Sequence, residues 1–172
     1  MKIVIISDTH DNLSNLKKAV DLIKKEKIKI IIHCGDIFRL DTLKLGLKSF
    51  QGKIYIIFSK TDADFSRIPE NSFKNLPKSK AWEELGQIKL DKKKIAFCHF
   101  PEIGRDLAKT QKYDLVFYGH THKPWEETIG KTRLVNPGNL AGLFYKPTFA
   151  VYDTKTNKLE LKILEKLRDP VS

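Results

Sequence analysis

Hydrophobic positions in the first third of the chain fall into two alternating periods. Lys2 to Ile6 is a β-branched run, as expected of a strand buried on both faces. Asn12 then stands where a helix cap is needed, before Leu13, Leu16, Val20 and Ile23, which share one helical face. Ile28 to Ile32 predicts a second buried strand, Arg39 to Phe50 an amphipathic helix, and Ile54 to Phe58 a third strand. Strand–helix–strand order of this kind implies parallel pairing.

The pattern changes in the second half. Gln87 to Leu90 and Lys94 to Cys98 read as short strands, with Asp91-Lys92-Lys93 between them as a hairpin turn. Glu102 to Lys112 predicts a short helix and Leu115 to Tyr118 a buried strand. Glu127 to Ile129, Arg133 to Val135, Thr148 to Tyr152 and Leu159 to Leu164 follow as strands in a mostly antiparallel order. A parallel half followed by an antiparallel half predicts an α/β fold of two sheets packed face to face, with helices outside. Asp64 to Ala81 reads as a loop carrying a short helix. No repeat, low-complexity linker or composition shift divides the chain, so residues 1–172 are expected to form a single domain.

Polar residues interrupt this pattern at telling places. Asp8 and His10 follow the first strand, Gly35-Asp36 the second, and Ser59 to Asp62 the third. His99 ends the Lys94–Cys98 strand, and Gly119-His120-Thr121-His122 ends the next. In open α/β sheets ligands bind at the carboxyl ends of strands, so five strand ends deliver Asp and His to one rim. Four of the five histidines belong to this set. Imidazole and carboxylate together are the ligand mixture of Zn, Mn, Fe or Ni, whereas a thiolate site would need more cysteine. Asp-x-His and His-x-His are each weak signals alone, because capping aspartates and hydrogen-bonded histidines are commoner. Their ordered recurrence at strand ends is what makes them specific.

Other polar residues take a structural reading. His33, inside a strand, is expected to be a hydrogen-bonded core histidine, and Cys34 and Cys98 to act as small apolar side chains. Asn136-Pro137-Gly138 is a turn by composition. Trp82 and Trp125 fit either a core or a cleft.

Composition narrows the partners. The formal charge is +11, from 32 Lys+Arg against 21 Asp+Glu, which favours phosphate-bearing ligands. The lysines are scattered, without an arginine-rich stripe, so nucleic acid is a possible partner and not the favoured one. Hydrophobic residues make up 41% of the chain, enough for a core without disulfides. No run approaches the length of a membrane span, and the two cysteines form no CxxC pair, which together predict a cytoplasmic protein.

Taken together, Ser7-Asp8-Thr9-His10, Cys34-Gly35-Asp36, the Lys60–Asp62 loop, His99, Gly119-His120-Thr121-His122 and Asn136-Pro137-Gly138 resemble the calcineurin-like metallophosphoesterases. The likeness spans nearly the whole length and is closest to the small single-domain phosphodiesterases of bacteria and archaea. It implies a four-layer α/β/β/α sandwich of two mixed sheets and a two-metal site. By that pattern one metal takes Asp8, His10, Asp36 and His122. The second shares Asp36 and takes His99, His120 and the side chain at position 60. The implied ions are divalent, Mn²⁺ first, with Zn²⁺, Ni²⁺ or Fe²⁺ as alternatives. The implied reaction is hydrolysis of a small phosphoester, in which a metal-activated hydroxide attacks phosphorus in line with the leaving alkoxide.

Position 60 departs from the pattern. The family places Gly-Asn where this chain has Ser59-Lys60, and a protonated lysine has no acceptor atom to offer a metal. Three arrangements are open: a weakened second metal, an ammonium that binds substrate phosphate as a point charge, or a side chain turned to solvent. Asp62 matches the acidic residue of the same loop, whose implied role is to orient a ligand histidine. Thr61 stands where larger members carry a general-acid histidine, which favours good leaving groups such as aryl or nucleotide esters. Two other functions remain open: a binding or scaffold protein with a weakened site, of the kind the family shows in a retromer subunit, and a nuclease.

Overall fold

The computed structural model describes residues 1–58, 76 and 78–167. Eleven strands and three α-helices are described. They run in the order β1 (Lys2–Ile6), α1 (Leu13–Lys25), β2 (Ile30–His33), α2 (Leu40–Leu47), β3 (Lys53–Ile57), β4 (Ser79–Trp82), β5 (Leu85–Leu90) and β6 (Lys93–Cys98). They continue with α3 (Pro101–Lys109), β7 (Leu115–Phe117), β8 (Trp125–Ile129), β9 (Thr132–Asn136), β10 (Thr148–Asp153) and β11 (Lys158–Ile163). A 3-10 turn follows at Leu164–Lys166.

Two mixed sheets result, in the strand orders β11-β10-β1-β2-β3-β4 and β5-β6-β7-β9-β8. Alternation along the strands sorts their side chains into three apolar layers. Val4 and Ile6 of β1 face α1 and α2, where they meet Leu16, Val20 and Leu43. Ile3 and Ile5 point the other way, into the space between the sheets, against Phe97, Phe117 and Tyr152. Ala96, Cys98 and Val116 on the far side of the second sheet pack on Ala108 of α3. The layers are therefore α/β/β/α, the architecture that the resemblance implied.

Local signals explain the element ends. The Asn12 side chain accepts a hydrogen bond from the Asn15 N–H at 3.0 Å, capping α1. Lys24 and Lys25 lie at its other end, favourably placed against the helix dipole. Pro101 opens α3, where its missing N–H costs nothing. The β5–β6 turn is tighter than the sequence suggested: Lys93 joins β6, and Asp91 and Lys92 both take positive φ, at 43° and 70°. That is the two-residue connection whose twist suits a hairpin.

Three expectations are corrected. The sheets do not divide by chain half, because β10 and β11 return to pair beside β1 in the first sheet. The second sheet also contains parallel pairs, β6 with β7 and β7 with β9, since α3 crosses over between β6 and β7. In addition, Ser79 to Ala81, expected as part of a loop, belongs to β4, paired parallel to β3. This short edge strand lacks the alternation that marks a half-buried strand, and its backbone pairing rather than its side chains defines it. The rest of the Asp64–Ala81 stretch lies almost entirely outside the described residues. Trp82 packs in the layer between the sheets, whereas Trp125 is half-exposed and lines a cleft of about 270 Å³ with Leu159 and Leu161. Among the described residues, no helix is long and apolar enough to cross a membrane.

Candidate metal centre

The carboxyl ends of β1 and β2 in one sheet meet those of β6 and β7 in the other along a single rim. Asp8 N–H donates to the Gly35 carbonyl at 3.0 Å and His10 N–H to the Asp36 carbonyl at 3.2 Å, tying the two first-sheet turns together. Gly119 N–H donates to the His99 carbonyl at 3.0 Å, which does the same in the second sheet. Two further bonds join the sheets. His120 N–H reaches the Asp8 carboxylate, at 3.1 and 3.2 Å from its two oxygens, and His99 Nδ1 donates to the Cys34 carbonyl at 3.0 Å.

Asp8, His10, Asp36 and His122 present one ligand atom each, all within 4.8 Å of one another. His10 Nε2 lies 2.9 Å from Asp36 Oδ2 and 3.0 Å from His122 Nε2, which is itself 3.3 Å from Asp8 Oδ1. Ligands held at ~2.1 Å from one ion sit about 3.0–3.4 Å apart on adjacent corners, so the spacing fits a shared divalent cation. The donor chemistry agrees: two imidazoles and two carboxylates suit a first-row divalent ion.

Backbone conformation aims these donors. Asp8, His10, Asp36, His120 and His122 all have positive φ, between 39° and 69°. Non-glycine residues seldom adopt that region, and such strain persists only where surrounding structure enforces it. Two glycines make the close approaches possible. A Cβ on Gly119 would lie 2.0 Å from Ser7 Oγ and 2.7 Å from Asp8 Oδ2. Gly35 combines a φ of +100° with contact to the His99 ring, where a Cβ would stand 2.9 Å from Nδ1.

The environment prepares the imidazoles differently. Burial holds His99 below its ordinary pKa, opposed by the nearby Asp8 charge, so the ring is neutral. Since its Nδ1–H is given to Cys34, Nε2 is the nitrogen left for a ligand. His122 is held above the ordinary value, first by its bond to Asp8. Its Nδ1 lies 3.4 Å from the Leu143 carbonyl, orienting Nε2 inward. His99 and His120 adjoin the four-residue cluster as a second pair, with ring centroids 5.2 Å apart and edge to face. Phe100 packs on both, at 4.9 and 5.0 Å. All six expected ligands are therefore at one rim, four as a converging cluster and two beside it. Lys60, Thr61 and Asp62 lie outside the described residues.

His33 has the core role expected of it. It is fully buried, its Nδ1 accepts from Gly35 N–H at 3.1 Å, and its Nε2 is 3.2 Å from Thr9 Oγ1. Cys34 and Cys98 are free and buried. The turn after β9 does more than border the site. Asn136 Nδ2 donates to the Gly119 carbonyl at 2.8 Å and to Thr121 Oγ1 at 3.0 Å, bracing the histidine turn from behind. Asn139, absent from the sequence reading, donates to the His122 carbonyl at 3.2 Å and accepts from Gly142 and Leu143 N–H at 2.6 and 2.9 Å. Its signal in the sequence is Asn three residues before Gly, a turn pattern common enough to pass unnoticed.

Comparison with known proteins agrees with this geometry. Phosphodiesterase MJ0936 of Methanocaldococcus jannaschii is 30% identical over 168 residues, covering 96% of this chain and all of that protein. A solved archaeal phosphodiesterase has a TM-score of 0.84 at 27% identity, over 95% of this chain and 99% of the other. Vps29 of Chaetomium thermophilum shares the fold, with a TM-score of 0.68 at 16% identity over 94% and 93% of the two chains. The calcineurin-like phosphoesterase superfamily domain matches residues 1–157, a span that includes all the turns carrying the candidate donors, and the chain belongs to that superfamily.

Proposed function

We propose that this chain is a metal-dependent phosphodiesterase acting on a small phosphoester, built as one domain over residues 1–172. The observation that carries this reading is the convergence of Asp8, His10, Asp36 and His122 donor atoms within 4.8 Å at the strand-end rim. The names of the archaeal relatives support the reaction class. Those four residues would hold a divalent ion, Mn²⁺ in our reading, which would supply Lewis acidity and activate water at neutral pH.

The protein's own groups do the rest. Asp8, fully buried, holds His122 through its carboxylate oxygen and His120 through the backbone, tying the two sheets together at the rim. His99 and His120 form the second half of the site, with His99 neutral and its Nε2 available. Lys60 is assigned to the substrate phosphate as a point charge and Asp62 to the orientation of a ligand histidine, on their positions in the sequence. The free thiols Cys34 and Cys98 fit a reducing compartment, and we place the protein in the cytoplasm.

The test uses metal-free protein reloaded with Mn²⁺, Ni²⁺ or Zn²⁺ and assayed on bis(p-nitrophenyl) phosphate. Turnover that depends on the ion is expected; folded protein inactive with every ion overturns the proposal. Replacing Lys60 with asparagine then reads its role. Lower activity supports a substrate contact, and a large gain marks it as an impediment at the second metal.

A further inference from the structure

Two phenylalanines flank the site without serving the core or the metal. Phe38 is 47% exposed and Phe144 is 92% exposed, although burial of such rings is what ordinarily stabilises a fold. Their rings line up with the ligand histidines. Phe38 stands 6.2 Å from His10, His10 4.9 Å from His122, and His122 5.6 Å from Phe144, centroid to centroid.

Backbone geometry holds them there against preference. Phe38 has a φ of 83° and Phe144 a φ of 62°, where a bulky side chain is a true outlier. Phe144 sits at the apex of a three-residue turn closed by Tyr145 N–H to the Leu143 carbonyl at 2.7 Å, the rare strained γ form. Both segments are tied to ligand-bearing turns. The Leu143 carbonyl accepts from His122, and Asn139 anchors Leu143 N–H. On the other side, Asp11, next to His10, receives the Arg39 N–H at 3.0 Å and its Nε at 2.6 Å, and Asp11 N–H bonds the Ile37 carbonyl. Strained, exposed and braced from the ligand loops, the rings are placed for something that binds at the ions.

We propose that Phe38 and Phe144 determine substrate specificity by packing against an aromatic ring, an aryl group or a nucleobase, carried by the phosphoester. Offset or edge-on contact of aromatic rings at 4.5–7 Å is favourable, and stacking on exposed phenylalanine accepts any flat ring. The proposal rests on the phosphodiesterase reading, since the same ions would hold the phosphate.

The test is calorimetric titration of Mn²⁺-loaded protein with phenyl phosphate, thymidine 5′-monophosphate and ethyl phosphate, beside their inhibition of bis(p-nitrophenyl) phosphate turnover. At least one aromatic ester should bind roughly tenfold or more tightly than ethyl phosphate. Preference for phenyl phosphate alone identifies aryl esters, and preference that includes the thymidine ester identifies nucleotides. Phe38→Ala, Phe144→Ala and the double variant should remove the preference while leaving ethyl phosphate and Mn²⁺ affinity within about twofold. Equal binding of all three ligands by the parent protein, or a preference that survives in the double variant, overturns the proposal. Absent turnover bears on the hydrolase reading alone, because the calorimetric ratio still reports the aromatic contact.

Discussion

His10 Nε2 and His122 Nε2 face each other at 3.0 Å, although 112 residues separate them in the chain. Two imidazole nitrogens at that distance need either a proton or a cation between them, and Asp8 and Asp36 add two carboxylate oxygens to the same space. The cluster thus concentrates donors whose mutual repulsion a divalent ion relieves.

Metal removal should therefore be felt as stability. An ion at a hundred times its dissociation constant stabilises the folded state by ~2.7 kcal/mol. In a chain of this size, that amounts to about 5–10 °C in Tm. Thermal melts with Mn²⁺ and with excess chelator should differ by this amount, and His10→Ala should abolish the difference. Coincident melts for the parent protein would count against a metal at this cluster.

Gly119→Ala should damage the site from behind. The added Cβ would press on Ser7 Oγ at 2.0 Å and Asp8 Oδ2 at 2.7 Å, both in fully buried residues. Overpacking of this kind costs about 1–3 kcal/mol, and here it would displace a ligand oxygen. Urea unfolding should show the stability loss, and titration calorimetry a Mn²⁺ affinity reduced by tenfold or more. Unchanged affinity would show that Asp8 tolerates displacement.

His33 should make stability fall in mild acid. Burial, the largest effect, lowers its pKa from 6.5 to about 4, so the native state stays neutral where the unfolded chain takes up a proton. Below pH 6.5 the unfolded state binds more protons, and stability declines until about pH 4, where both states are protonated. The difference corresponds to roughly 3 kcal/mol. Urea midpoints between pH 7 and pH 4 should follow this course, and His33→Asn should flatten it.

Both thiols should resist alkylation. Burial pushes Cys34 well above its ordinary pKa and Cys98 up to about 12, leaving little thiolate at pH 8. Mass spectrometry after iodoacetamide treatment should find native protein unmodified and urea-unfolded protein doubly labelled. Rapid labelling of the native protein would show local opening of β2 or β6.

Much of this was present in the one-dimensional pattern. Buried β-branched runs marked β1, β2 and β3, because a strand covered on both faces has no polar side to show. The donors were legible for a related reason: Asp8, His10, Asp36, His99, His120 and His122 each fall within four residues of the end of an apolar run, and strand ends are where a sheet offers its ligands. The sequence by itself therefore determined most of the elements, β4 excepted, and the placement of the candidate donors at strand ends. Tertiary structure alone decided which strands share a sheet, since the return of β10 and β11 to β1 depends on contacts some 150 residues apart. The division of six donors into four that converge and two beside them, which the resemblance implied, takes its geometry from that structure. That division follows from left-handed turns at Asp8, His10, Asp36, His120 and His122, conformations these residues disfavour alone. Cross-sheet bonds from His120 to Asp8 and from His99 to Cys34 hold them in place, and such bonds exist only once the sheets have packed.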